Sequence, residues 1–128
     1  MDIIISNRSA QTIYEQIIGQ VKRQIADGLL APGEPIPSMR ALARQLHISV
    51  ITVQKAYELL QRDGFIETVQ GKGTFISGAS RDFILEERLR RIEEHLDAAA
   101  QAAREADIPL DKLTDILRLF YEQEDQNI

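Results

Sequence analysis

The chain has 128 residues, 44% hydrophobic and 27% charged, with no cysteine, no tryptophan and a formal net charge of −5. That length holds one ordinary domain or two small ones, which excludes large catalytic barrels and a full doubly wound nucleotide-binding fold. Zero cysteines excludes a disulfide framework, a thiolate zinc site and a thiol nucleophile, and the acidity, taken whole, speaks against a polyanionic partner.

Met1-Asp2 opens with an acid, and Ile3-Ile4-Ile5 is far too short for a signal-peptide core. No stretch reaches the roughly 18 apolar residues of a membrane span, so a cytoplasmic chain with no membrane partner is expected. From Ala10 to Gly28 the residues Ile13, Ile17, Val21 and Ile25 recur at every fourth position. They form one stripe of an amphipathic helix, with Gly28 as its terminator. Leu29 to Pro37 contains three of the four prolines. Proline lacks the amide donor and clashes with the preceding turn, so this stretch reads as an extended, rigid connector.

Ser38 has the side chain to cap a helix start, and Leu42, Ala43 and Leu46 give that helix a short apolar face. His47-Ile48 interrupts it, and Ser49 caps another helix whose buried face is Val53, Ala56, Tyr57 and Leu60, ending near Asp63-Gly64. Two short helices joined by a tight turn make a helix-turn-helix pattern. Beyond Gly64 the period changes. Phe65–Val69 and Thr74–Ser77 are rich in β-branched and aromatic residues, and the glycines of Gln70-Gly71-Lys72-Gly73 permit positive φ at a turn. The spacing predicts a two-stranded hairpin, and with it a winged helix-turn-helix over residues 1–78.

Gly78-Ala79-Ser80 reads as a linker. After it, Leu85, Leu89, Ile92, Leu96, Ala99 and Ala103 are spaced 4, 3, 4, 3, 4, a heptad seam. Asp107-Ile108-Pro109 breaks that helix, and Leu110, Leu113, Leu117, Phe120 and Tyr121 mark a second amphipathic one. Residues 79–128 are too few for a good independent core. They are expected to form a helical hairpin that dimerises with a second copy through Leu85, Leu89, Ile92, Leu96, Leu113, Leu117 and Phe120. The fold class is thus mainly α with a small β-hairpin. Charge follows the same division. Residues 1–78 carry eight basic and seven acidic side chains, a net of +1, while residues 79–128 carry seven and thirteen, a net of −6. The acidity therefore belongs to the tail and leaves the first part open to a polyanion.

Tyr14-Glu15-Gln16-Ile17, Gly28-Leu29-Leu30-Ala31-Pro32-Gly33-Glu34 and Ile36-Pro37-Ser38-Met39-Arg40-Ala41-Leu42-Ala43 follow one another in that order. Thr52-Val53-Gln54-Lys55-Ala56-Tyr57, Asp63-Gly64-Phe65-Ile66 and Gly71-Lys72-Gly73-Thr74-Phe75 come after them. With these motifs the stretch from about residue 11 to 79 resembles the GntR-type winged-helix regulators. The short two-helix tail resembles that of the YtrA-like subfamily, which implies dimerisation through the tail and control of transporter operons. It is too small for the effector-binding domains of sister subfamilies, and no aminotransferase-like domain follows. The resemblance implies a repressor that binds double-stranded DNA at a two-half-site operator as a homodimer, with a small-molecule effector as a further partner and no cofactor.

A helix-turn-helix places the N-terminal part of its second helix in the major groove. With Val53, Ala56, Tyr57 and Leu60 inward, the outward positions near its start are Val50, Ile51, Gln54 and Lys55. Gln54 suits an adenine edge, and Val50 and Ile51 suit thymine methyls, with a local apolar contact inside the protein as the alternative. Lys55 and Thr52 suit phosphate. Many members of the family carry arginines where this chain has Val50 and Gln54, so guanine contacts do not transfer and a site richer in A·T is expected. Arg40 matches the family's arginine near the start of the first helix of the motif, with a backbone-contact role. Gly71, Lys72 and Gly73 would approach the adjacent minor groove or phosphates. Ser38 and Ser49 are helix caps first and phosphate contacts second.

Two rival classes carry less. Glu86-Glu87 and Glu93-Glu94 lie on the polar flanks of the heptad helix, where solvated charge is the norm, and His47 and His95 are isolated. No catalytic constellation and no metal site is expected. A winged helix that binds proteins and not DNA would use the same seam, but Arg40, Lys55 and Lys72 on the DNA-facing elements argue against it. Tyr57, Phe120 and Tyr121 at helical spacing read as core before ligand cleft.

Overall fold

In the computed structural model, which describes residues 1–123, the period-four stripe forms α1 (Ile13–Ala26). The Thr12 hydroxyl accepts from the Glu15 amide at its start, and Ile17, Val21 and Ile25 are fully buried on its inner face. At its end Gly28 takes φ +78°, a left-handed conformation that turns the chain so that the amides of Leu29 and Leu30 both donate to the Gln24 carbonyl.

The connector that follows is not all coil. Pro35–Ile36 form β1, which pairs antiparallel with β3 (Gly73–Ile76), and β3 pairs in turn with β2 (Ile66–Val69). The sheet has the order β1-β3-β2, one strand more than the two-stranded hairpin expected from the sequence. Two residues carry no detectable alternation, and Pro35 is tolerated because β1 is an edge strand whose missing donor breaks no interior ladder bond. Between β1 and β2 lie α2 (Met39–Leu46) and α3 (Val50–Arg62), the expected helix pair. Leu42, Val53, Leu60, Ile66 and Ile76 meet the α1 stripe in one core.

The N-terminal isoleucines belong to that core too. Met1, Ile3 and Ile5 pack against it, while the residues between them are fastened to α1 by glutamines. The Gln16 side-chain amide donates to the Ser6 carbonyl at 2.9 Å and accepts from the Ser6 amide at 2.9 Å. Gln20 does the same to Ile4 at 2.6 and 2.8 Å, and Gln24 to Asp2. Four helical residues rise about 6 Å and two extended residues about 6.6 Å, so the two registers match.

The stretch read as a linker is a short turn fused to this unit. Ser80 is buried and its hydroxyl donates to the Ser77 carbonyl at 2.6 Å. From there runs α4 (Ser80–Glu105), whose Phe83 ring meets Phe65 edge-on at 4.8 Å and whose Ile84 also reaches the core. The first compact unit consequently extends from Met1 to Arg88, ten residues past Gly78, and a second begins at Leu89. At the end of α4, Asp107 takes φ +55° and the Ile108 amide closes on the Ala103 carbonyl at 2.8 Å. The last described element is α5 (Leu110–Gln123), which has no buried residue. The apolar faces of α4 and α5 are largely uncovered within one chain: Leu89, Ile92 and Leu96 on α4, and Leu117 and Phe120 on α5, are all exposed. Among the described residues, no helix is long and apolar enough to cross a membrane.

Candidate nucleic-acid interface

The turn between α2 and α3 is built from caps. The Ser38 hydroxyl accepts from the Ala41 amide at 3.1 Å and the Ser49 hydroxyl from the Ile51 amide at 3.1 Å. His47, at φ +56°, closes α2 in the left-handed region, and the Ile48 amide returns to the Ala43 carbonyl at 3.0 Å. Both serines are thus the caps the sequence implied, and each remains exposed.

On α3 the inner row is fixed: Val53, Ala56, Tyr57 and Leu60 are at most 1% exposed. Tyr57 does more than fill space. Its hydroxyl donates to the Pro37 carbonyl at 2.8 Å, tying α3 to the chain just before α2. Burial pushes its phenol well above the ordinary tyrosine range, so it stays a neutral donor. It belongs to the core.

With that row locked inward, the helical period turns Val50, Ile51, Gln54, Lys55 and Glu58 outward, and all five are exposed. Ile51 is 76% exposed, too much for the local apolar contact that was its alternative role. Val50, at 41%, is partly covered. Thr52 is half-buried, with its amide on the Ser49 carbonyl. Gln54 is partly engaged: its Nε2 donates to Glu58 Oε1 at 3.1 Å, leaving Oε1 and one N–H to face a base. Glu58 carried no signal in the sequence, since its role depends on a side-chain contact one turn away.

Two further groupings appear only in three dimensions. Arg40 and Val50 line one open cleft with Arg44, His47 and Ile48, about 390 Å³ in volume, so Arg44 joins the cationic edge of the motif. Lys55 leans the other way, its Nζ 4.1 Å from the centre of the Tyr14 ring on α1, a cation–π contact that holds the ammonium at the surface. At the wing, Gly71 and Gly73 have φ of +78° and +115°, and the Lys72 amide closes the turn on the Val69 carbonyl at 2.9 Å. The tip Gly71-Lys72-Gly73 is exposed, and Thr68 on β2 reaches back to Gln61 on α3 at 3.3 Å, linking wing to helix. Of the residues expected at a dimer seam, Leu85, Leu89, Ile92, Leu96, Leu117 and Phe120 are exposed and Leu113 is half-buried.

The model of the GntR family, bacterial regulatory proteins, matches residues 13–76. The chain is 40% identical over 111 residues to the HTH-type transcriptional repressor YtrA of Bacillus subtilis, covering 87% of this chain and 85% of that protein. Among solved structures it is similar to YtrA from Sulfolobus acidocaldarius, a GntR-family transcription factor, with a TM-score of 0.56 and 36% identity over 71% of this chain and 97% of that one. It is also similar to the DNA-binding domain of AraR in complex with operator ORX1, with a TM-score of 0.52 and 26% identity over 60% of this chain and 96% of that one.

Proposed function

The chain belongs to the GntR family of bacterial regulatory proteins and is a DNA-binding transcriptional regulator, and on that footing we propose that it represses its target genes by gripping a two-half-site operator as a homodimer. The observation that carries the DNA contact is the first turn of α3, capped by Ser49, locked by its buried inner row and presenting Val50, Ile51 and Gln54 outward. Gln54 offers an adenine edge an acceptor and a donor, and the aliphatic pair packs on thymine methyls. Arg40, Arg44, Lys55 and Lys72 neutralise phosphates on either side, with Thr52 and the caps Ser38 and Ser49 as neutral backbone donors. The glycines flanking Lys72 let the wing backbone approach the adjacent groove. Similarity to an operator-bound domain supports the same use of this face.

Repression follows the naming of the similar Bacillus subtilis protein. Dimerisation is supported by the exposed row Leu85, Leu89, Ile92 and Leu96 on α4, which water leaves uncovered at a cost of about 25 cal/mol per Å² of apolar surface. The working site is the cytoplasm, and a small-molecule effector is the remaining partner. An adaptor that binds proteins through the winged unit is not favoured, because it gives no use to the cations grouped around the motif.

A fluorescence-anisotropy titration of the full chain against the DNA upstream of its own gene tests this. Tighter binding to that DNA than to a scrambled duplex, weakening as salt rises, is the expected result. Equal affinity for both duplexes at low salt contradicts it.

A further inference from the structure

Two arginines at the base of α4 take no part in reading DNA as described above. Arg81 and Arg88 are seven residues apart, two helical turns, and so lie on one face of the helix. Both line an open cleft of about 300 Å³ between the first turns of α4 and the connector after α1, inside the unit Met1–Arg88. Gly28, Leu30, Pro32 and Ile84 form its other walls. Arg88 comes so close to the bare backbone that a Cβ at Gly28 would stand 3.2 Å from Nη2. No carboxylate lines the cleft, and among the described residues neither guanidinium has an ion pair or hydrogen bond.

Two uncompensated guanidiniums facing one cleft repel each other, and an oxyanion between them removes that repulsion while accepting from both forks. The aliphatic walls suit a compact organic body, and the volume is at the lower end of small-molecule sites. We propose that this cleft binds a small organic anion with a phosphate or carboxylate head, and that this anion is the effector. Binding there would tie the connector, which leads through β1 to α2, onto the helix that continues into the apolar seam. The effector half of the proposal rests on the regulator reading given above; the binding half does not.

Both halves are testable on the full chain. In ¹⁵N spectra at constant ionic strength, titration with inorganic phosphate and, separately, with citrate is expected to give saturable shifts at Gly28, Ala31 and the Arg81 and Arg88 side chains. Arg81→Gln with Arg88→Gln should weaken that binding about tenfold or more. Both side chains are exposed, so the double variant should keep the wild-type melting temperature. Shifts that do not saturate, or that persist equally in the variant, overturn the site. For the effector role, the tighter-binding anion should change operator affinity in the wild type about threefold or more and leave the variant unchanged. An equal response in both overturns it. Failure of the wild type to bind its operator both without anion and with either anion present would count against the regulator reading itself, which keeps the two failures apart.

Discussion

In the proposed operator contact, Gln54 is the residue assigned to sequence selectivity. Half of its carboxamide donor capacity is taken by Glu58 at 3.1 Å, which fixes the rotamer that would meet a base. Gln54→Ala should therefore lower operator affinity by about 1–3 kcal/mol per base pair read, with no change on a scrambled duplex, measured by anisotropy on both. The outward direction of Gln54 was legible from the period of Val53, Ala56, Tyr57 and Leu60. The grip of Glu58 on it was not, because a side-chain rotamer leaves no trace in spacing. The same holds for Lys55 and Tyr14, distant in sequence and 4.1 Å apart in the fold. Tyr57 read as core, and its hydroxyl bond to Pro37 is the part that spacing could not show. Tyr57→Phe strands that carbonyl and should cost about 1–3 kcal/mol in urea denaturation. Because burial raises the phenol's pKa, the stability it gives is present below the ordinary value of 10.0 and is lost only as pH rises through the folded value.

At the scale of elements, the helices announced themselves and the strands did so only in part. The stripe of α1 and the serine caps of α2 and α3 are strong local signals. The strand β1, two residues long with a proline in it, is made by its partner β3 and not by its own sequence. The N-terminal segment is a similar case. Gln16, Gln20 and Gln24 look like a solvated helix face until the segment Asp2–Ser6 lies along them. Gln16 alone serves Ser6 twice and the Gln11 carbonyl once. Gln16→Ala should cost about 2 kcal/mol, from more than one lost bond at a buried residue. Limited proteolysis should then cut within residues 1–12 faster than in the wild type. Further along, the heptad spacing of α4 is legible, and its covering partner is not. Leu89→Glu with Ile92→Glu should leave the helical circular-dichroism signal intact, since both are exposed in one chain, and shift sedimentation from dimer to monomer.

For the whole molecule, the negative charge is a property of one part. Moving the boundary from Gly78 to Arg88 transfers Arg81, Arg88, Asp82, Glu86 and Glu87 to the first unit, which then holds ten basic and ten acidic side chains. The second unit holds five basic and ten acidic, so all of the −5 lies beyond Leu89. A unit with no net charge, and only Arg40, Arg44, Lys55 and Lys72 at the motif, has little non-specific attraction for phosphate, which is why the proposed function has two half-sites held together by a homodimer. Hydroxyl-radical footprinting of the full chain on the DNA upstream of its gene tests this most directly. Two matching protected patches, their centres about 10–10.5 base pairs or a multiple of that apart, are predicted. A single patch at saturating protein, or uniform cleavage throughout, would contradict it.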